Sequence, residues 1–142
     1  MNFDPNNAVI KLCAGGMDLE GQGKRAEAAK LFEQAWQQAH TDLEKYVAAH
    51  YVARRQDSAA EKLKWDETAL GFALKIPGDS NKGGLPSLYL NIANDQEQLH
   101  DFKKAENYHL ALSFTDFLLD DGYGNMIRGG IKNGIERVMG LL

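Results

Sequence analysis

The chain has 142 residues, 44% of them hydrophobic and 25% charged, with a formal net charge of -4. That length and mix suit one domain with a buried core and argue against a disordered chain. The basic residues are dispersed, densest at Lys24-Arg25, Arg54-Arg55 and Lys103-Lys104, so no nucleic-acid partner is expected; one would need cations gathered on a single face.

Cys13 is the single cysteine, which leaves no internal disulfide and no multi-cysteine metal site, and its apolar neighbours predict a small core residue. The opening Met1-Asn2-Phe3-Asp4-Pro5 has neither a basic nor a long apolar segment, and no apolar run approaches the ~20 residues of a membrane span. The expectation is a cytoplasmic chain with no membrane partner.

Helical periodicity runs from end to end. A first helix is predicted over about Ala8 to Glu20, with Val9, Leu12, Cys13, Gly16 and Leu19 on one stripe, ended by Gly21-Gln22-Gly23. Lys24 to His40 reads as a second, with Ala28, Phe32, Ala35 and Ala39 recurring at three- and four-residue steps. The short connection makes the two antiparallel neighbours. Thr41, with Glu44 three residues on, reads as a capping box opening a third helix that runs to about Arg55. Ser58 and Glu61 repeat that device for a fourth, stopped near Ile76 by Pro77-Gly78. Residues 77–84 form a loop. Pro86 suits the first turn of a fifth helix reaching about Leu99. Asp101 reads as the cap of a sixth, with Phe102, Ala105, Tyr108 and Leu112 inward. After Asp120-Asp121-Gly122, a last helix over about 123–140 carries the stripe Ile127, Ile131, Ile135, Val138 and Leu142, with Gly130 and Gly134 beside it for close packing.

The first and third helix pairs repeat each other. Leu12, Gly16, Leu19, Gly23, Ala28, Phe32 and Ala35 fall at the spacings of the tetratricopeptide signature, and Tyr89, Ile92, Ala93, the turn His100-Asp101-Phe102 and Ala105 follow it again. Gln96 and His109 depart from it, and the register of the middle pair is left open. The predicted fold is all-α: an α-α superhelix of antiparallel helix hairpins, about three pairs (8–40, 41–76, 85–119) and a capping helix, in one domain.

The segments His50-Tyr51-Val52-Ala53-Arg54-Arg55-Gln56, Leu85-Pro86-Ser87-Leu88-Tyr89-Leu90-Asn91 and Asp120-Asp121-Gly122-Tyr123-Gly124-Asn125-Met126-Ile127-Arg128 resemble those of a family of small bacterial tetratricopeptide-like proteins. The resemblance covers nearly the whole chain and implies the helical fold, but no activity. Some relatives carry an rRNA adenine methyltransferase label. That chemistry needs a glycine-rich turn between a strand and a helix, whereas Gly15-Gly16 and Gly21-Gln22-Gly23 lie within and after a helix.

Polar residues on the A helices of such a stack face its concave side. His50 and Arg54 are spaced i, i+4 on the third helix, and Asn91, Asn94 and Gln98 share a face of the fifth. These five are the candidate ligand- or peptide-binding residues, against the alternative of a solvated face. Cys13 and Met17 stand where carboxylate-clamping repeats use Lys and Asn, so that clamp is not expected. Ser58 is accounted for by capping, Asp95 and Glu97 read as exposed, and Trp36 and Trp65 read as inter-repeat filling. No catalytic residue, metal or cofactor is called. The expected function is a non-enzymatic interaction module that uses the concave face of this short array to bind a protein or peptide, or that pairs with a second copy of itself. The alternative is a small-molecule-binding or hydrolytic protein with a pocket near His50, Arg54 and Asn91.

Overall fold

The computed structural model describes residues 4–78, 84–107, 110–111 and 115–141, and among them finds helices and no strand. The chain falls into two compact units, Asn2–Ile76 and Pro77–Leu142, dividing where Pro77-Gly78 ends the helical pattern.

The first unit holds α1 (Ala8–Gly21), α2 (Arg25–Gln38), α3 (Asp42–Arg54) and α4 (Ala59–Ala73). Each begins where a side chain can take up its unpaired amides, α2 excepted. Asn7 Oδ1 accepts from Val9 and Ile10 at 2.8 and 3.2 Å. The reciprocal capping box forms at Thr41 and Glu44, and Ser58 supplies its forward half to Glu61 N at 3.1 Å. Glu44 does more: its carboxylate also accepts from Asn7 Nδ2 at 2.8 Å and His40 N at 2.9 Å. Those bonds, led by the Asn7 amide, hold the Glu44 carboxyl below its usual range.

Helix α1 unwinds through Gly23, whose φ of 78° is open to glycine without strain, and Lys24 N closes the turn on Leu19 O at 2.9 Å. Helix α3 lies against α1 and α2 and also packs on α4, so its Tyr46, Val47, Ala48, Ala49, Val52 and Ala53 are all buried. Its place in the middle of the unit explains why one apolar stripe could not be read from it. The core gathers Ala28, Phe32 and Val52 with Leu19, Trp36, Tyr51 and Trp65 around them. Phe32 stacks on Tyr51 at 5.2 Å, and it reaches that place only because Gly16 has no side chain: a Cβ there would stand 2.8 Å from ring atoms Cδ1 and Cζ and nearer still to Cε1. Cys13 is buried in α1, which pushes its thiol up to about 12.

Among its described residues the second unit holds α5 (Leu85–Gln98), the 3₁₀ turns Lys104–Glu106 and Thr115–Phe117, and α6 (Gly122–Met139). Pro86 stands in the first turn of α5. The expected sixth helix is entered through the first 3₁₀ turn, and Asn107, Leu110 and Ala111 are helical. Asp101, expected as its cap, does not cap it: Lys103 stands at the N-cap with no side-chain cap bond, and Asp101 faces Lys104 at 3.6 Å; Tyr108, His109, Leu112 and Leu142 lie outside the described residues. Ala93 and Ala105 are buried with Leu90, Ala111, Leu118, Ile127, Ile131 and Val138. Gly130 lets α6 come close to α5, since a Cβ there would lie 3.1 Å from Leu90 Cδ2. Asp121 caps α6 through Gly124 N at 2.7 Å, and the Arg128 guanidinium donates to the carbonyls of Thr115, Leu118 and Leu119 at 2.9–3.3 Å.

The two units end their first helices in the same way. Asp101 N closes on Gln96 O at 2.9 Å, the bond that Lys24 N makes to Leu19 O, and His100 takes the left-handed φ of 59° that Gly23 takes in the other unit. The offset of 77 positions is the one that relates Gly16 to Ala93 and Ala28 to Ala105.

Candidate binding groove

The turns between α1 and α2 and between α3 and α4 lie at one end of the first unit, because antiparallel helices return there. Arg54 closes α3 and Arg55 follows it, so both guanidiniums stand at a helix C-terminus, a favourable place for a cation. Between them lies Glu20, in the last turn of α1, where the helix dipole alone would oppose a carboxylate. Arg54 Nη2 and Arg55 Nε each approach it at 3.0 Å, one on either oxygen. The pairing links α1 to the end of α3 and gathers both guanidiniums around one carboxylate. The Arg54 guanidinium also lies 5.7 Å from the ring centre of Tyr51.

Beside this pair opens a solvent-facing groove of about 570 Å³, lined by Arg25, Ala26 and Ala29 of α2, by Arg54, Arg55, Gln56 and Asp57, and by Lys62 of α4. Among the described residues neither Arg25 nor Lys62 makes an ion pair. Against Asp57 and the engaged Glu20, the four cations leave a surplus of two positive charges. A second hollow of about 200 Å³ is lined by Glu33, Trp36 and Gln37 of α2, by Val52 and Gln56, and by Trp65 of α4. Gln56 is a wall of both. Its Nε2 is held by Val52 O at 3.0 Å. The α2 positions 25, 29, 33 and 36 follow the helical repeat, and Lys62 and Trp65 are three apart on α4. Both hollows therefore lie along one channel between α2 and α4. Trp36 and Trp65 meet edge to face at 5.1 Å, each part-exposed: they fill the space between the hairpins and also wall the hollow.

The five residues expected to bind fall into two sets. His50 and Arg54 stand one turn apart on α3, as their spacing requires, but only Arg54 lines the groove. His50 Nδ1 is shut off from solvent with no hydrogen-bond partner, and burial, with Arg54 nearby, lowers the imidazole to about 4. It is therefore neutral at neutral pH, and its ring packs edge-on against Tyr51 at 5.3 Å. Asn91, Asn94 and Gln98 belong to α5 of the second unit, the first two half-buried and Gln98 exposed.

Asp95 and Glu97 were expected to be exposed. Asp95 is 4% exposed, and Glu97 takes a forked pair of bonds from Arg137 of α6 at 2.9 and 3.2 Å. Helix α5 buries residues around most of its girth, so a single apolar stripe understates what it covers. Gln96, the odd residue of the repeat pattern, is buried with its amide oxygen accepting from Asn107 Nδ2 at 3.1 Å.

Sequence reasoning missed Arg25, Arg55, Lys62 and Gln56. The signal was present in the two basic pairs Lys24-Arg25 and Arg54-Arg55, each at a hairpin turn. They are dispersed along the sequence, yet the fold brings Arg25, Arg54, Arg55 and Lys62 to one groove. Among the described residues no three His, Cys, Asp or Glu side chains are grouped to hold a metal ion, and no helix is long and apolar enough to cross a membrane. Comparison with protein-family models, with curated proteins and with solved structures returns no match for this chain.

Proposed function

We propose that the chain is a non-enzymatic interaction module of the tetratricopeptide-like kind, which binds a peptide or protein segment in the cytoplasm. The observation that carries this reading is the open channel between α2 and α4, with two guanidiniums paired to Glu20 at one end and two tryptophans along its wall. Stacked hairpins provide rigid, extended surfaces of this type. Three findings support a family tie: α3 stacked on both helices of the preceding hairpin, the close approach at Gly16, and the matched helix ends at Gly23 and His100. The superhelical array belongs to the same proposal.

Capture experiments from the cells of origin test it, with the wild-type chain and an Arg25→Ala/Lys62→Ala variant side by side. Arg25 and Lys62 make no ion pair among the described residues, so the variant is expected to keep the fold. A protein retained by the wild type and released by the variant supports the module. Identical retention by both removes the channel from the function. Light scattering on the purified chain, wild type and variant, distinguishes self-pairing through the same face.

A further inference from the structure

We infer that the segment this channel accepts is acidic: side-chain carboxylates seat on the Arg25, Arg54, Arg55 and Lys62 end, and an adjoining bulky apolar side chain enters the hollow walled by Trp36 and Trp65. The inference rests on the reading of the channel as a peptide site and gives that site its chemistry.

Charge complementarity sets the first half. Glu20 engages one edge of each guanidinium, Nη2 of Arg54 and Nε of Arg55, which leaves other N–H donors of both for a planar oxyanion. Arg25 and Lys62, which make no ion pair among the described residues, add two cations on opposite walls, α2 and α4. The α2 N-terminus, uncapped by any side chain, adds its partial positive charge from the same wall. Continuity sets the second half. Gln56 is common to both hollows, so a chain whose carboxylate lies at Arg55 can place a neighbouring side chain against the tryptophans. Two partly exposed indoles in a hollow of about 200 Å³ offer desolvation to one apolar side chain, and such aromatic pockets carry much of the affinity of a peptide interface. A nucleic-acid strand fits less well. Asp57 and Glu33 stand on the channel walls, where a continuous run of phosphates would meet them.

The test is selection of a short random-peptide library on the immobilised full chain, followed by fluorescence anisotropy with the enriched peptides synthesised and labelled. Enriched peptides should carry Asp or Glu beside Leu, Phe or Trp. Their affinity should fall about tenfold or more in Arg25→Glu/Lys62→Glu and weaken steeply with added salt. Both tryptophans of the chain wall the hollow, so binding there must change the intrinsic emission. Urea unfolding of the variant, read by that emission, confirms that it folds. Enrichment of neutral or basic peptides overturns the acidic assignment and leaves a peptide module standing. No enrichment at all overturns the peptide reading itself. A single-stranded RNA oligomer that binds as tightly as the best peptide overturns the choice of partner.

Discussion

Replacing Gly16 with alanine sets two opposed effects against each other, and the structure says which prevails. In a helix interior alanine is favoured over glycine by roughly 1 kcal/mol. At Gly16, however, the new methyl group would stand 2.8 Å from two atoms of the Phe32 ring and nearer still to a third, where ordinary contact begins at 3.4 Å. The ring must retreat by at least 0.6 Å, the gap between those distances. It has no free space, being fully buried and stacked on Tyr51. Overpacking of this kind costs about 1–3 kcal/mol. Because the ring cannot swing into solvent, the upper part of that range applies, for a net loss of about 1–2 kcal/mol. Gly71 is the control. It lies in α4 with nothing within 4 Å of a built Cβ, so Gly71→Ala should gain about 0.5–1 kcal/mol from propensity alone. Both tryptophans lie in the first unit, so urea titration followed by their emission reads the stability of the unit in question. Gly16→Ala should lower the midpoint and Gly71→Ala raise it. Adding Phe32→Leu should bring less further loss in the Gly16→Ala background than in the wild type, since the smaller side chain relieves the clash. If Gly16→Ala raises the midpoint as Gly71→Ala does, the close approach of α1 and α2 is not what glycine serves there.

Two further outcomes follow from buried groups. His50 falls from 6.5 to about 4 on folding, so between those values the unfolded chain binds the proton that the folded chain refuses. The first unit should therefore be most stable above pH 6.5 and lose roughly 2–3 kcal/mol as the pH falls towards 4, whereas His50→Gln should show a shallower pH dependence of its urea midpoint over that window; equal slopes would refute the assignment. Cys13, buried and with its thiol pushed up to about 12, should resist a thiol-specific disulfide reagent in the native protein and react stoichiometrically in urea; rapid native labelling would contradict its burial.

What the sequence disclosed were features settled within a turn or two of chain. Thr41 with Glu44, Ser58 and the glycine of the first hairpin turn are each recognised by neighbours a few residues away, and the structure has them in place, whereas the cap expected at Asp101 does not form and Asp121, read only as part of a break, caps the last helix. Small residues at Gly16, Ala28, Ala93 and Ala105 were legible because close packing of helices leaves no room for larger ones. Hidden from it was whatever depends on residues distant in sequence. Arg55 gains its meaning from Glu20, and Arg25 and Lys62 from lying on opposite walls of one groove. His50 looked like an available polar residue because its spacing to Arg54 is right, yet its environment is set by burial. His100 carries no sign that it does what Gly23 does, since histidine in a left-handed conformation is uncommon.

Glu44 joins two places that the chain reaches 37 residues apart. The same carboxylate that closes the entry to α3 restrains the side chain that opens α1, so neither entrance can fray without loosening the other. A disturbance at the amino-terminal edge of the unit is thereby felt at its central helix, across a link made by one acidic side chain.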